Sequence, residues 1–236
     1  ARQFPDDLSI CDNALSIRAA IATNRIAIVP HIEGAECIDT DFNALEILHA
    51  AGLRSLGPVW SRHNDFGHGA PMTLQTDLDP GKGLSPKGFE LIHACDHLGI
   101  MIDLSHLTEA GFWDVAKTTT RPLIATHSNA HAISPNARNL TNRQLAAVAE
   151  SKGVVGLNFH VQFLRADCKM DKSTPITEMI RHLDHLLGFL GEDGVAIGSD
   201  FDGCVLPTEI GDVTGLQKLI TAMKHAQYGD RLITKI

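Results

Sequence analysis

The chain has 236 residues, of which 44% are hydrophobic and 20% are charged, and its formal net charge is −8. This composition is typical of a soluble globular protein with a sizeable core. The acidic balance without a basic stripe argues against nucleic acid as a partner, and no apolar stretch approaches the ~18 residues that a membrane span needs. The five cysteines are scattered and form no C-x-x-C pair. They predict reduced thiols, and because no signal peptide is visible we expect a cytoplasmic protein, with the periplasm as an alternative.

Strand and helix signals alternate along the chain. The spacing of apolar residues predicts a helix over residues 7–23, and the apolar run at 25–34 predicts the first strand. Five further apolar runs predict strands at 53–59, 99–106, 121–127, 153–159 and 194–200. The intervening segments predict helices at 41–51, 86–98, 108–118, 141–151, 175–190 and 214–226. A long loop rich in Gly, Pro, Asp and His occupies residues 60–84, and loops of this length are usually functional or disordered.

Polar residues at the starts of several helices predict N-caps. Asp39 or Thr40 precedes the helix at 41–51, Ser85 precedes the helix at 86–98, and Thr141 or Asn142 begins the helix at 141–151. The side-chain oxygens of such residues accept hydrogen bonds from the free N–H groups of a first helical turn.

Six strand–helix units without a hairpin signal predict a parallel α/β fold. Such a sheet is either doubly wound or closed as a (β/α)8 TIM barrel. No strand is followed by G-x-G-x-x-G, which argues against a dinucleotide-binding domain. A closed barrel needs eight units, so we expect the missing strand or strands to precede Ala1.

Polar or aromatic residues fall at or just past the carboxyl end of every predicted strand. They are Glu33, Trp60, His106, His127, Asn158 and Asp200. In a barrel these ends ring one mouth, where the chemistry is placed. Two histidines with a glutamate and an aspartate are the ligand types of a zinc hydrolase. Glu33 is predicted to bind one metal or bridge two, and Asp200 to bind metal or transfer a proton. The alternative is that each histidine merely ends its strand.

Arg138 lies on the loop that follows the fourth predicted strand. A guanidinium at this place is suited to hold a carboxylate or a tetrahedral oxyanion. Taken alone, it is also compatible with an ordinary arginine on the solvated surface.

Five sequence blocks together resemble the membrane dipeptidase family (renal dipeptidase-like, peptidase family M19). In family order they are Ile32–Gly34, Asp103–His106, Thr126–Ser128, Arg138–Leu140 and Gly198–Gly203. The resemblance covers nearly the whole chain. It implies a bacterial-type member truncated at both ends, with residues 1–236 forming one incomplete (β/α)8 barrel of the amidohydrolase type. It also implies two zinc ions and hydrolysis of dipeptides by a metal-bridging hydroxide.

The resemblance also implies residue roles. Glu33 corresponds to the carboxylate that bridges the two zinc ions, and His106 and His127 correspond to the imidazoles of the second zinc. Arg138 corresponds to the arginine near the substrate's C-terminal carboxylate. Asp200 corresponds to the proton-transfer aspartate. A homodimer is a further expectation from the family.

The sequence departs from the family pattern at two places. The family's first strand carries a His-x-Asp that completes the first zinc site, whereas His63-Asn-Asp65 comes after Glu33 in the chain and is not assigned to it. Trp60 stands near the place of a family histidine that contacts the scissile group. Trp60 and Asn158 are therefore predicted to line the substrate pocket. The alternatives are a metal hydrolase for a lactone, cyclic amide or N-acyl amino acid, and a degenerate, non-catalytic barrel.

Overall fold

The structure is a computed structural model that describes residues 3–75 and 81–236. The described residues form short strands: β1 (Leu8–Ile10), β2 (Ile26–Ile28), β3 (His31–Glu33), β4 (Ser55–Gly57), β5 (Met101–Ile102), β6 (Ile124–Ala125), β7 (Val154–Leu157) and β8 (Val195–Ile197). Their helices are α1 (Ala14–Ala22), α2 (Asn43–Ala50), α3 (Pro86–Leu98), α4 (Glu109–Thr118), α5 (Asn142–Glu150), α6 (Val161–Leu164), α7 (Ile176–Leu190), α8 (Leu216–His225) and α9 (Asp230–Lys235). A 3₁₀ turn at Val213–Gly215 leads into α8.

The strands pair in parallel, which confirms the predicted α/β class. One sheet has the order β3-β4-β5 and another has the order β6-β7-β8. A parallel bridge between Asp103 and Ile124 joins the two sheets, so six strands follow one another in chain order. Their carboxyl ends consequently lie along one edge. Within residues 3–75 and 81–236 no pairing joins β8 to β3, so the closed TIM barrel stays a prediction.

The predictions for the N-terminal segment are partly wrong. Residues 8–10 form β1 rather than the start of a helix, and α1 begins only after Asn13, whose side chain accepts from the N–H of Ser16. The apolar run at 25–34 is two strands, because β2 pairs with β1 whereas β3 pairs with β4. Pro30 separates the two strands, and proline has no N–H to give to a continuous ladder.

Two predicted N-caps are confirmed, whereas the N-cap of α2 is Phe42 rather than Asp39 or Thr40. Asp39 accepts hydrogen bonds from the N–H groups of Asn43 and Ala44 at the start of α2, at 3.2 and 2.7 Å. Ser85 caps α3, and Thr141 caps α5 in a reciprocal capping box with Gln144. Such caps typically contribute about 1 kcal/mol each to stability. They also set the residue at which each helix begins.

The longest helix, α7, packs one apolar face onto the sheet. Its buried residues recur at spacings of three or four and are Ile176, Met179, Ile180, His182, Leu183 and Leu186. Full burial of one such aliphatic side chain is worth roughly 1.5–3 kcal/mol. No helix in the described part of the chain is long and apolar enough to cross a membrane.

Two glycines allow strands β7 and β8 to approach the end of β6 closely. A Cβ at Gly156 or at Gly198 would overlap the backbone carbonyl of Thr126. Only a residue without a side chain fits at such a contact. The backbone just before His127 is therefore held between two neighbouring strands.

Candidate active site

The strand-end residues of the prediction reach the same edge of the sheet. Glu33 is the last residue of β3, and His127 follows β6 by two residues. His106 and Asp200 both have left-handed backbone conformations, with φ of 73° and 58°. Non-glycine residues seldom adopt this region, and such strain is often found at functional sites.

Glu33, His106 and His127 form a compact triangle of possible metal ligands. The Oε1 atom of Glu33 lies 3.1 Å from Nε2 of His106 and 3.0 Å from Nε2 of His127. The two Nε2 atoms are 3.0 Å apart. Ligand atoms about 2.05 Å from a tetrahedral zinc are separated by about 3.3 Å. The triangle is therefore close to the size that one zinc requires.

Hydroxyl groups fix both imidazole rings from behind. The Oγ of Ser61 lies 2.8 Å from Nδ1 of His106, and the Oγ1 of Thr126 lies 2.8 Å from Nδ1 of His127. When the Nδ1 atoms carry the protons, both Nε2 lone pairs face the carboxylate. The donor set, two nitrogens and one carboxylate oxygen, therefore fits a zinc ion.

The charge states of the triangle also suit metal binding. The two imidazoles beside Oε1 of Glu33 hold the pKa of that carboxyl well below its usual range. Burial lowers the pKa of His106 to about 4, so its imidazole is neutral at pH 7. Ionised carboxylates and neutral imidazoles are the forms that bind metal.

Arg138 is buried beside the triangle, with only 3% of its surface exposed. This burial contradicts the alternative of an ordinary surface arginine. Its Nη2 donates to the carbonyl of His127 at 3.2 Å, and its guanidinium lies over the ring of Phe163 at 5.4 Å. Its Nε is buried and has no hydrogen-bond partner among the described residues. Burial lowers the pKa of Arg138 to about 10, which leaves the group charged at pH 7.

Asn158 links Asp200 to the same region. Its Nδ2 donates to Oδ2 of Asp200 at 3.0 Å and lies 3.5 Å from the carbonyl of His127. The ring centroids of Trp60 and His106 are 5.7 Å apart. The guanidinium carbon of Arg62 lies over the Trp60 ring, 5.5 Å from its centroid. All seven predicted site residues are thus joined by direct contacts or by one shared carbonyl.

Several partners of the site received no role in the sequence-based prediction. Ser61 and Thr126 contact the imidazoles, and the buried carboxylate of Asp103 contacts Thr126. Asp103 and Thr126 each belong to a block that carries a predicted histidine. That adjacency is the signal that could have found them.

A complete second set of metal ligands is not present in the described residues. Among residues 3–75 and 81–236, no cluster of three or more potential ligands accompanies the one formed by Glu33, His106 and His127. His63 and Asp65 are exposed in the long loop, where the ring of His63 stacks near that of His68 at 6.1 Å. This agrees with leaving His63-Asn-Asp65 unassigned.

A carboxylate and two imidazoles at the carboxyl ends of parallel strands are typical of metal-dependent hydrolases on α/β folds. Comparison with known proteins agrees. The profile of the family described as "Membrane dipeptidase (Peptidase family M19)" matches residues 1–236. The chain therefore belongs to the membrane dipeptidase family, peptidase family M19.

Relatives and solved structures extend this assignment. A Klebsiella pneumoniae protein, "Uncharacterized protein in pqqA 5'region", is 45% identical over 229 residues, which are 97% of this chain and 84% of that protein. A metallo peptidase from Rhodobacter sphaeroides, solved with a phosphinate mimic of the dipeptide L-Ala-D-Ala, is 48% identical with a TM-score of 0.97. That match covers 100% of this chain and 67% of the other.

A more distant structure supports the fold alone. The probable dipeptidase PvdM from Pseudomonas aeruginosa is 21% identical, with a TM-score of 0.86 over 100% of this chain and 72% of the other.

Proposed function

We propose that the protein is a zinc-dependent dipeptidase in which residues 1–236 form most of an amidohydrolase-type (β/α)8 barrel. The observation that carries the proposal is the triangle of Glu33, His106 and His127 at the strand ends, with Asp200 and Arg138 beside it. The similarity to a metallo peptidase that binds a dipeptide mimic supports the substrate class.

Glu33 would bridge two zinc ions, and His106 and His127 would complete the second site. When bound, the metals supply Lewis acidity that polarises the peptide carbonyl and lowers the pKa of water enough to provide hydroxide. The protein fixes this geometry in advance, because Ser61 and Thr126 already orient the two imidazoles.

Asp200 is proposed to carry the proton from the attacking water to the departing amine. Its Oδ2 accepts from Asn158. A carboxylate held by an amide donor keeps a defined direction, and positioned proton transfer contributes typically 10²–10⁴-fold to rate. Asn158 is the residue that sets this direction.

Arg138 is proposed to attract the free carboxylate of the dipeptide. Its charge is buried. The attraction between Arg138 and a carboxylate is therefore stronger than in water, because the surrounding dielectric constant is lower. The bond from Nη2 to the carbonyl of His127 ties its position to the metal ligand. Trp60, next to His106, is proposed to limit the size of the residue on the scissile side.

The test is hydrolysis by the protein expressed from its complete reading frame. A panel should contain L-Ala-D-Ala, other dipeptides, an N-acyl amino acid, a cyclic amide and a lactone. We expect dipeptides to be cleaved, the activity to be lost with a chelator and to return with Zn²⁺. Cleavage of a non-peptide substrate alone would favour the other amidohydrolase chemistry. Bound dipeptide without cleavage would favour the degenerate barrel.

A further inference from the structure

Asp103 is a buried carboxylate that lies behind one of the metal-ligand candidates. Only 1% of its surface is exposed, and its Oδ1 accepts from the backbone N–H groups of Ser105 and Thr126 at 3.0 and 2.9 Å. Its Oδ2 lies 3.8 Å from Nδ1 of His127, which is too long for a hydrogen bond. The hydroxyl of Thr126 lies between these two atoms, at 2.5 Å from Oδ2 and 2.8 Å from Nδ1.

The charge of Asp103 sets the direction of these two hydrogen bonds. The backbone N–H groups of Ser105 and Thr126 and the hydroxyl of Thr126 all donate to Asp103, which is the bonding pattern of an ionised carboxylate. An ionised carboxylate only accepts hydrogen bonds, so the single hydroxyl proton of Thr126 points to Asp103. The hydroxyl oxygen is then left to accept a proton from Nδ1 of His127.

We propose that Asp103 and Thr126 are positioning residues that hold His127 in the Nδ1–H tautomer, so that its Nε2 lone pair faces the metal site. The inference rests on the proposed zinc site. Metal-bound histidines commonly donate their other N–H to a carboxylate, and here a threonine hydroxyl stands between the two. Asp103 therefore acts on the metal through two intermediate groups without touching it.

The two imidazoles of the site differ in this respect. His106 is backed by Ser61, a residue of the long loop, and no carboxylate stands behind that serine in the described contacts. His127 is backed by a fully buried carboxylate on a neighbouring strand end. The backbone of Thr126 is also held between Gly156 and Gly198. His127 is consequently the ligand whose hydroxyl partner is itself fixed by a carboxylate.

Two substitutions break the relay in different ways. Thr126→Val keeps the shape of the side chain but removes the hydroxyl, so Nδ1 of His127 loses its partner. Asp103→Asn keeps Oδ1 for the two backbone N–H groups but places an amide N–H₂ where Oδ2 was. The hydroxyl of Thr126 must then accept from the amide and donate to Nδ1. That reversal favours the Nε2–H tautomer, which has no lone pair for zinc.

The experiment measures zinc affinity of the full-length protein by competition with a chromophoric chelator. His127→Ala identifies the zinc equivalent that depends on His127. Thr126→Ser retains a hydroxyl and is the conservative rescue. Thr174→Val is the matched control, because it removes a buried threonine hydroxyl that bonds the carbonyl of Asp171 away from the strand-end cluster. Circular dichroism and thermal unfolding of the metal-free variants check the fold.

We expect Thr126→Val and Asp103→Asn to bind that zinc about 10–100-fold more weakly, as is typical when a group behind a metal ligand is lost. Thr126→Ser and Thr174→Val should bind nearly as the wild type does. Wild-type affinity in both Thr126→Val and Asp103→Asn would overturn the relay while leaving the zinc site intact. A folded wild type that binds no zinc would overturn the proposed metal site, and the relay with it.

Discussion

Asp200 and Asp202 are two aspartates of one turn with different surroundings. Both have left-handed backbones, with φ of 58° and 65°. Asp200 is half-buried and accepts a hydrogen bond from Asn158, whereas Asp202 is exposed. Substitutions at the two aspartates can therefore distinguish a role in proton transfer from a role in the conformation of the turn.

We predict that Asp200→Asn lowers kcat for dipeptide hydrolysis by about 10²–10⁴-fold, because the amide cannot accept the transferred proton. Asparagine tolerates the left-handed conformation, so the turn should persist. Zinc content should stay at the wild-type level. Asp202→Asn is the control and should keep kcat within about twofold, since the change is exposed. Steady-state kinetics on both variants decide the role, and undiminished turnover of Asp200→Asn would refute it.

At the scale of single elements, the close approach of β7 and β8 to β6 positions His127. Gly156 and Gly198 both face the carbonyl of Thr126, and neither leaves room for a Cβ. The site therefore depends on strand spacing as well as on its ligands. A substitution at one of these glycines tests this dependence without changing a metal-ligand residue.

We predict that Gly156→Ala lowers the free energy of unfolding by about 1–3 kcal/mol, because the added methyl must displace backbone. Gly188→Ala is the matched control. Gly188 lies within α7 with open space around its Cβ position, so alanine should leave stability unchanged or raise it by up to about 1 kcal/mol. Urea unfolding measures both. Equal stability of Gly156→Ala and wild type would show that the strands are free to separate.

His182 ties helix α7 to the loop after β6 and to the end of helix α6. Its Nδ1 accepts from the N–H of Ala130, so its Nε2 carries the proton and donates to the carbonyl of Leu164, both at 3.1 Å. Burial lowers the pKa of His182 to about 4. The unfolded chain therefore binds more protons at this residue between about pH 6.5 and pH 4, and folding is disfavoured as the pH falls through that window.

We predict that chelator-treated wild-type protein loses about 2 kcal/mol of unfolding free energy from His182 between pH 7.5 and pH 5.0. In His182→Gln that part of the pH dependence should vanish. The exposed His93, replaced by Gln, is the control and should retain it. Urea titrations at the two pH values give the comparison. If wild type and His182→Gln have the same pH dependence, His182 is protonated without cost in the folded state.

For the whole molecule, the apolar runs were sufficient to predict the parallel α/β class and the strands whose carboxyl ends lie at one edge. Each of the six strand-end residues follows a run of apolar residues, and the parallel order brings such ends to one edge. Ser85 and Thr141 cap their helices because the cap is a local interaction, which sequence alone can reveal.

Features that depend on contacts between distant segments were not predictable in the same way. Residues 8–10 form a strand because β2 is available as a partner, which local spacing does not show. The burial of Arg138 arises from packing on Phe163, and a loop position gives no sign of it. The orientation of His127 depends on Asp103, a residue on the neighbouring strand end. Such pairs appear only after the strands are placed.

We expect the strand ends to hold a zinc centre built on Glu33. Its most direct test is the zinc content of purified full-length protein, measured by mass spectrometry for wild type, Glu33→Gln and Glu36→Gln. Glu36 is a nearby carboxylate that pairs with Arg62 and serves as the control. We predict about two zinc ions per chain for wild type and Glu36→Gln, and well below about one for Glu33→Gln, because a bridging carboxylate serves both ions. A folded wild type without zinc, or Glu33→Gln with two zinc ions per chain, would show that Glu33 does not hold a zinc centre.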